Sequence, residues 1–481
     1  MWMRVLTRFR RIVLSSTSAA CLALMALPAS AMSLKDSVSV ALDSNPEIGQ
    51  AIQNREAIEF ELRQARGLYL PRIDAEGSAG VRRLDSPTRR ASRIDDDELY
   101  PAEIGATLTQ KVFDGFAREA EVDRQASRVD SASFRVLERS EFIALQVARE
   151  YIETVLQREI VAVARQNVAF HSRLVSEIRA GSAGGTLTDA DSQQANERLL
   201  AARARLTEAT EELAAAEIRF NRLVGMPIGS VSKPASLVRF MPASLDAALG
   251  AARTTNPRIK IANADIDVAY SQVKDARSRY LPEANIEARA RTGSDIDGVE
   301  NRTSDLQARF VVKWNLFNGG IDRANEQEQI RRVSEERLRL HAAHREVEEA
   351  VRISWDRRLR QQNLLSILQP QYSSARQVVG SYREQFGVGR RSLLDLLDAQ
   401  NTQFNANLLV LTARYAVLFA EYRLMAAMGK LLPTLGMSAP QQADAYAREA
   451  ANVPETPPAE TMIRYSPPRP DNGGGWFGKL Y

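Results

Sequence analysis

Short motifs recur along this chain at nearly constant spacing, so the sequence is internally duplicated. Asn45-Pro46 and Tyr69-Leu70-Pro71 return 211 residues later as Asn256-Pro257 and Tyr280-Leu281-Pro282. Later motifs return after 204 residues: Phe113-Asp114-Gly115 as Phe317-Asn318-Gly319, and Gly225 as Gly429. Because copies of one unit adopt the same supersecondary structure, any fold proposed for the first copy must also suit the second. The change of offset means that the segment between Pro71 and Phe113 is longer in the first copy than its counterpart in the second.

The duplication divides the chain into five predicted parts. They are a signal peptide, a first repeat, a linker, a second repeat and a tail, at residues 1–31, 32–225, 226–243, 244–432 and 433–481. Within the repeats we predict hairpins at 71–113 and 282–317. The tail is rich in proline and then glycine, a composition typical of disorder, so we expect no fixed structure there.

The first residues are typical of an export signal. Four arginines without an acid precede an apolar stretch from Ile12 to Leu27, and Ala29-Ser30-Ala31 matches a cleavage site. The only cysteine, Cys21, precedes the most apolar part of the stretch, whereas a lipoprotein signal places it after, so lipidation is disfavoured. We therefore expect an exported chain without a disulfide or a thiolate metal site.

The net positive charge of the whole chain comes from this leader. The sequence has 64 Lys and Arg against 60 Asp and Glu, and four of the arginines lie in the leader. The remainder is balanced, so charge gives no indication of nucleic-acid binding.

Each repeat predicts two strands that are apolar on one face. In the second copy Ala284, Ile286 and Ala288 alternate with polar residues, and Leu306 to Trp314 does the same. Period two is typical of a half-buried strand. Each strand has about ten residues, the length that a tilted strand needs to cross a bilayer.

Long helices account for most of the remaining sequence. We predict helices at 46–70, 118–179, 188–224, 257–281, 322–386 and 391–428. In those at 188–224 and 391–428, apolar residues are spaced three and four apart as in coiled coils. Helices of about sixty residues would be roughly 90 Å long, which no compact core accommodates. In each copy the combined length of the two shorter helices matches the length of the long one, so the shorter helices can stack end to end beside it.

The apolar strand faces have no soluble core to cover them, because the helices pack on one another. A sheet in lipid must close so that no edge is unpaired, and the smallest such barrels have about eight strands. Four strands in one chain therefore require oligomers. Two chains would give eight strands and three would give twelve around a possible aqueous lumen, and the pattern alone permits both.

The repeat plan, the Tyr-Leu-Pro motifs, Leu316-Phe317-Asn318-Gly319-Gly320 and the segment Val388–Gln400 together resemble the TolC family of outer-membrane efflux and secretion channels. The resemblance covers about residues 33 to 432. It implies a mostly α fold with a transmembrane β contribution: four strands and long coiled-coil helices per protomer, and a twelve-stranded barrel above a helical barrel in a homotrimer. Among its branches, the non-lipidated type I secretion channels are the most similar.

The resemblance also implies functional residues at the periplasmic tips of the helices. Asp395 and Asp398 match two acids that ring the tunnel entrance and bind cations; without the resemblance, solvated carboxylates near a helix start would be the simpler interpretation. Asp191 and Arg391 match an aspartate and an arginine whose link holds the tip shut. The glycine-rich turn Gly181–Thr186 departs from the family pattern, which affects the geometry expected for that link.

These features predict a passive exit duct in the outer membrane that extends into the periplasm. Its partners would be a periplasmic adaptor (membrane fusion) protein, an inner-membrane ABC or proton-driven transporter and outer-membrane lipid. Two alternatives are the outer-membrane part of a proton-driven multidrug pump and, from another class, a soluble periplasmic coiled-coil scaffold. We expect no enzyme activity, cofactor, metal site or nucleic-acid binding, because no catalytic, phosphate-binding or dinucleotide motif occurs.

A few residue types are open to simpler interpretations. The three histidines, His171, His341 and His344, are expected at surface positions of helices rather than in a metal site. Trp314 and Phe317 fit either an aromatic girdle at the membrane interface or ordinary packing. The acids of the hairpin loops, including Asp95 to Asp97, are expected to be solvated.

Overall fold

The computed structural model of the protein describes residues 32–91, 98–298 and 300–456. The predicted signal peptide, the acids Asp95 to Asp97 and the last part of the predicted tail lie outside the described residues.

The described part of the first repeat contains the three predicted helices and, before them, one that was not predicted. They are α1 (Leu34–Ser44), α2 (Pro46–Gly67), α4 (Ala117–Ala183) and α5 (Asp189–Val224), and a short helix α3 (Pro87–Ala91) lies between its strands. Ser33 caps α1 in a capping box with Asp36, and Thr188 caps α5 in the same way with Asp191. These side chains satisfy amides at the first turn that have no partner within the helix.

The second repeat follows the same order. Its helices are α6 (Leu245–Thr255), α7 (Pro257–Ser278), α8 (Ile321–Gly387) and α9 (Leu393–Ala427), followed by α10 (Leu431–Thr434) and α11 (Ala447–Ala450). The two long helices, α4 and α8, each have 67 residues. The Tyr-Leu-Pro motif follows α2 and α7 in both copies, where proline cannot donate the next helical hydrogen bond.

The repeated Asn-Pro motif stacks the shorter helices end to end. Asn45 accepts the amide of Glu47 at the start of α2 and donates its Nδ2 to Leu223 O, near the end of α5, at 3.0 Å. Asn256 does the same between α7 and α9, donating to Ala427 O at 2.9 Å. The predicted stacking is thus confirmed, and one residue per repeat makes the joint.

The four predicted strands form one antiparallel sheet. They are β1 (Arg72–Ala79), β4 (Ala102–Phe113), β5 (Glu283–Ser294) and β6 (Arg302–Lys313), in the order β1-β4-β5-β6. A small second sheet joins β2 (Arg82–Arg83) to β3 (Glu98–Leu99). β4 and β5 come from different repeats, so the main sheet joins the two copies.

The register separates apolar from charged rows across the main sheet. One row contains Ile73, Leu108, Ala288 and Ala308, and the adjacent row contains Arg72, Thr109, Glu287 and Arg309. Leu306 and Phe310 on the apolar face are 83% and 65% exposed. The sheet therefore presents an uncovered apolar face, as the alternation predicted.

The opposite face carries paired charges. Arg309 lies 2.7 Å from Glu287, which is directly opposite it on the neighbouring strand. Arg291 contacts Asp297 and Asp305 at 2.5 and 3.2 Å, while Arg289 contacts Glu103 at 3.2 Å. Cross-strand pairs of opposite charge favour this register.

The largest hydrophobic core lies where the stacked helices meet the long ones. It gathers residues from α1, α4, α5, α6, α7, α8, α9 and the linker, including Tyr151, Phe220, Tyr415 and Tyr422. Tyr151 Oη lies 2.7 Å from Met32 O and accepts the amide of Ser232, and Glu421 accepts the amide of Leu237 at 2.7 Å. These buried polar contacts hold the linker against the helices.

The prediction of a structureless tail is wrong for its first part. After α10 the chain forms a 3-10 turn at Gln441–Ala443 and the short helix α11, and it packs on α4. The buried carboxylate of Asp130 on α4 accepts the amides of Tyr446 and Ala447, and that of Glu141 accepts the amides of Leu431 and Leu432 at the start of α10, just before the predicted tail. Composition misses these contacts because the acceptors lie about 300 residues earlier in the chain.

The two long helices differ in their surroundings. α4 contacts α2, α5, α7 and α9, and it buries several times as many residues as α8 does. α8 also contains Pro370, which removes one internal hydrogen bond, whereas α4 has Gln166 at the equivalent position. Among the described helices, none is both long enough and apolar enough to cross a membrane.

Candidate functional site

The candidate site is the end of the helical region furthest from the strands, where two turns reverse the chain. One turn joins α4 to α5 and the other joins α8 to α9, and Gly185 and Gly389 take left-handed backbone angles in them. A small separate core supports both turns: Leu174, Val175, Ile178, Ala195, Leu199, Leu393, Leu396 and Leu397. Because this core draws on both repeats, it holds the two tips side by side.

Asp395 and Asp398 lie on the first turns of α9. Ser392 caps this helix by accepting the amide of Asp395 at 3.2 Å, and it donates its hydroxyl to the carboxylate of Asp395 at 2.8 Å. Residues three apart lie on one face of a helix. The Asp395 side chain is 44% exposed and that of Asp398 is 61% exposed. Both candidate entrance acids are therefore open to solvent on one side of the tip.

Each of these acids has an arginine nearby. Arg391 Nη1 lies 3.7 Å from Asp395, and its guanidinium stacks 4.1 Å from the ring of Tyr382. Arg198, on α5, reaches Asp398 at 3.5 Å. Both pairs are partly exposed and long, so each is worth about 0 to 1 kcal/mol.

The predicted tip pair, Asp191 with Arg391, is not made within this chain, in which both residues are described. Asp191 instead completes the capping box of α5, accepting the amide and the hydroxyl of Thr188 at 3.0 and 2.7 Å. These hydrogen bonds from Thr188 lower the pKa of Asp191 below its usual value. Asp191 thus remains charged at the tip, with its carboxylate held by its own turn.

Contacts between the repeats at the tip involve residues that the sequence did not single out. Arg383 on α8 donates to Glu177 on α4 at 3.1 Å, and Gln400 donates to Asn167 at 3.1 Å. Arg198 was not singled out either, although its partner Asp398 was. The two residues are 200 positions apart, close to the repeat offset of 204, and this similarity is the sequence signal that could have paired them.

His171 lies at the tip but not at the surface. It is 5% exposed, its ring stacks edge-on against Phe170 at 5.4 Å, and its Nδ1 has no hydrogen-bond partner among the described residues. Burial, together with the nearby Arg198, lowers the pKa of His171 to about 4. The predicted surface position is wrong for this histidine because α4 packs against other helices here, whereas His341 is exposed.

No cluster of three or more possible metal ligands occurs among residues 32–91, 98–298 and 300–456. What the described tip offers is exposed negative charge beside weakly held arginines. Such an arrangement can attract cations, and its pairs can open at small energetic cost.

Comparison with known proteins places this architecture in context. The sequence model of a family described as "Outer membrane efflux protein" matches residues 37–226 and 248–430. The alkaline protease secretion protein AprF of Pseudomonas aeruginosa is 28% identical over 82% of this chain and 84% of its own length. The outer membrane efflux protein BepC of Brucella suis is 24% identical over 73% and 75%.

Solved structures share the fold at lower sequence identity. The outer membrane protein VceC of Vibrio cholerae has a TM-score of 0.70 at 16% identity, covering 82% of this chain and 96% of its own. A membrane protein from Pseudomonas aeruginosa has a TM-score of 0.72 at 17% identity, covering 82% and 90%.

Proposed function

This chain belongs to the outer membrane efflux protein family, and we propose that three copies of it form one passive duct for protein export. Membership makes the chain an outer-membrane exit channel for secretion or efflux that extends into the periplasm. The number of copies, the type of cargo and the partners are the proposed parts.

The open edges of the main sheet are the observation that carries the trimer. Among the described residues, β1 pairs only with β4 and β6 only with β5, so the outer edges of both strands carry unpaired backbone groups. In hydrocarbon each unpaired group costs several kcal/mol, and only closure of the sheet removes the cost. β6 of one copy pairing with β1 of the next gives a closed barrel, and three copies supply twelve strands around an aqueous lumen.

The exposed face of α8 supports the same assembly. Ile353 and Leu364 are 11 residues apart, as are Ile367 and Val378, a spacing of about three helical turns. All four side chains are exposed in the single chain. Such a stripe suits packing against the helices of the next copy, which would close the helical barrel below the strands.

At the tip, three copies would place six carboxylates of Asp395 and Asp398 around one entrance. Rings of acids attract cations and repel anions. Asp191 and Arg391, which do not meet within one chain, would face each other between neighbouring copies. Threefold repetition would turn a weak exposed pair into a usable latch.

The energy for transport must come from partner proteins. We propose that the tips dock on a periplasmic adaptor protein, which links the duct to an inner-membrane transporter. AprF, 28% identical, is described as an alkaline protease secretion protein, which favours a protein cargo and an ABC-type transporter. BepC, 24% identical, is described as an efflux protein, which keeps a proton-driven drug pump as the second candidate.

Two experiments test the proposal. Outer-membrane fractions solubilised in detergent should yield a particle with the mass of three chains, and a mass of one or two chains would overturn the trimer. Deletion of the gene should remove a protein from the culture medium while drug susceptibility stays unchanged. Increased drug susceptibility with normal secretion would favour the efflux pump, and a chain extracted in buffer without detergent would favour the soluble scaffold.

A further inference from the structure

The last described segment of the chain, residues 441–456, crosses from one repeat to the other. We name it the clasp. Ala447, at its centre, is fully buried and packs with Ile58 and Leu62 of α2 and with Ala126 and Val129 of α4. The clasp therefore fills a groove of the first repeat although it follows the end of the second.

A buried carboxylate on α4 holds the start of α11. Asp130, 3% exposed, accepts three successive amides of the clasp, those of Tyr446, Ala447 and Arg448, at 3.0, 2.8 and 3.2 Å. Amides in the first turn of a helix have no partner within it, so Asp130 supplies the missing acceptor.

Arg448 then joins Asp130 to a second buried acid in the other repeat. Its Nε lies 3.0 Å from Asp130 on α4, and its Nη1 lies 2.7 Å from Asp267 on α7. Asp267 is also 3% exposed and accepts the amide of Thr456 at 2.8 Å. Because buried carboxylates are costly unless paired, this guanidinium, which forms an ion pair with each of them, ties α4 to α7.

The clasp lies on the strand side of the helical region. Asp130 is roughly 20 Å along α4 from its start beside the sheet, and Asp267 is roughly 17 Å from the end of α7, at about 1.5 Å per residue. The covalent connection between the repeats, residues 226–243, begins instead at the joint of the stacked helices, where α5 ends, and contacts the middle of α4 at Tyr151. Between that linker and the sheet, α4 and α7 are held together by side-chain contacts, of which Asp123 with Lys274 at 2.7 Å is another.

We propose that the clasp is a lock between the repeats, pinned by Arg448, that prevents helix movements at the tip from reaching the strands. The contacts of the clasp are sufficient grounds for the lock between α4 and α7, whatever the function of the protein. Its role as a limit on tunnel opening rests on the proposed function. The clasp thus divides the helical region into a fixed part beside the sheet and a movable part towards the tip.

Hydrogen–deuterium exchange of the full-length protein in detergent tests the lock. The amides of residues 446 to 448 and 456, and those of α7, should exchange slowly. In Arg448→Ala, exchange should be at least tenfold faster in the clasp and in the middle of α7, with no change at 385–400. Glu449→Ala is the matched control, since Glu449 lies on the same helix with an exposed side chain, and it should behave as the wild type does.

Arg448→Lys keeps the charge but provides only one ammonium group, so it should protect the segment to an intermediate degree. The lock is overturned if the wild-type clasp exchanges as fast as an unstructured peptide, a result that needs no variant. It is also overturned if both Arg448 variants exchange within twofold of the wild type. A protein with a protected clasp that conducts no ions would contradict the proposed function and leave the lock intact.

Discussion

The clasp and the tip use the same residue types with opposite outcomes. At the clasp, Asp130 and Asp267 are each 3% exposed and meet one arginine at 3.0 and 2.7 Å. At the tip, the side chains of Asp395 and Asp398 are 44% and 61% exposed and meet two arginines at 3.7 and 3.5 Å. Buried pairs are costly to break and exposed pairs are not.

This contrast indicates where the molecule can change shape. An arginine that pairs with two buried acids cannot leave without removing the ion-pair partner of both carboxylates. An arginine beside one solvated acid exchanges its partner for water at little cost. We therefore expect the strand side of the helical region to stay closed when the tip opens.

The largest expected effect is that of breaking the buried pair from the acid side. Asp130→Ala removes the acceptor of three amides and one guanidinium, and it should lower the free energy of unfolding by about 3 to 5 kcal/mol. Asp398→Ala at the tip should lower it by less than about 1 kcal/mol. Urea denaturation of the detergent-solubilised protein measures both. Equal losses would remove the distinction between the two regions.

Glu141, which holds the start of α10, gives a pH test on the strand side. Burial raises its pKa to about 7, against the opposing effect of the amides of Leu432 and Leu431. A carboxyl whose folded-state pKa is raised stabilises the fold at low pH and loses that contribution as the pH rises from about 4.5 to 7. From pH 7 to pH 5, the free energy of unfolding of the wild type should thus increase by about 2 kcal/mol more than that of Glu141→Gln. A parallel pH profile in the two proteins would contradict this.

His171 should give the opposite dependence of stability on pH at the tip. Its pKa is lowered to about 4, so neutral His171 stabilises the fold above pH 6.5. That contribution to the free energy of unfolding is lost as the pH falls from 6.5 towards 4. Between pH 7 and pH 5, amide exchange around residues 171–178, corrected for the intrinsic effect of pH, should become about tenfold faster. His171→Phe, which cannot be protonated, should abolish the change. An unchanged rate in the wild type would mean that water reaches the ring.

The smallest expected effect on stability comes from the tip arginine. Arg391→Ser should change the unfolding free energy by less than about 1 kcal/mol. It should nevertheless raise single-channel conductance in planar bilayers, because the latch between copies is lost. Arg390→Ser, at the adjacent exposed position, is the control and should leave conductance unchanged. Equal conductance in all three proteins would remove the gating role of Arg391.

The sequence predicted the elements well where local patterns determine them. Asn-Pro and Tyr-Leu-Pro mark the joints and ends of helices through capping and the missing proline donor. Strict alternation along β5 and β6 predicted the apolar face. These signals lie within a few residues of the structure that they specify.

Other features depend on contacts between distant residues. The clasp was missed because it belongs to a tail that as a whole is rich in proline, a composition typical of disorder, while the acid that orders it lies far away on α4. The burial of His171 depends on which helices pack around it. The pairing of Arg198 with Asp398 requires both repeats to meet at the tip. Local periodicity carries none of this information.

Single-channel recording with the purified full-length protein tests the central claim most directly. The account predicts a current selective for cations, with selectivity reduced when Asp395→Asn and Asp398→Asn are combined, since the ring of charge at the entrance is then removed. A protein that inserts into the bilayer but conducts no ions would contradict the duct. A current whose selectivity is the same in the double variant would contradict the acidic entrance at the tip.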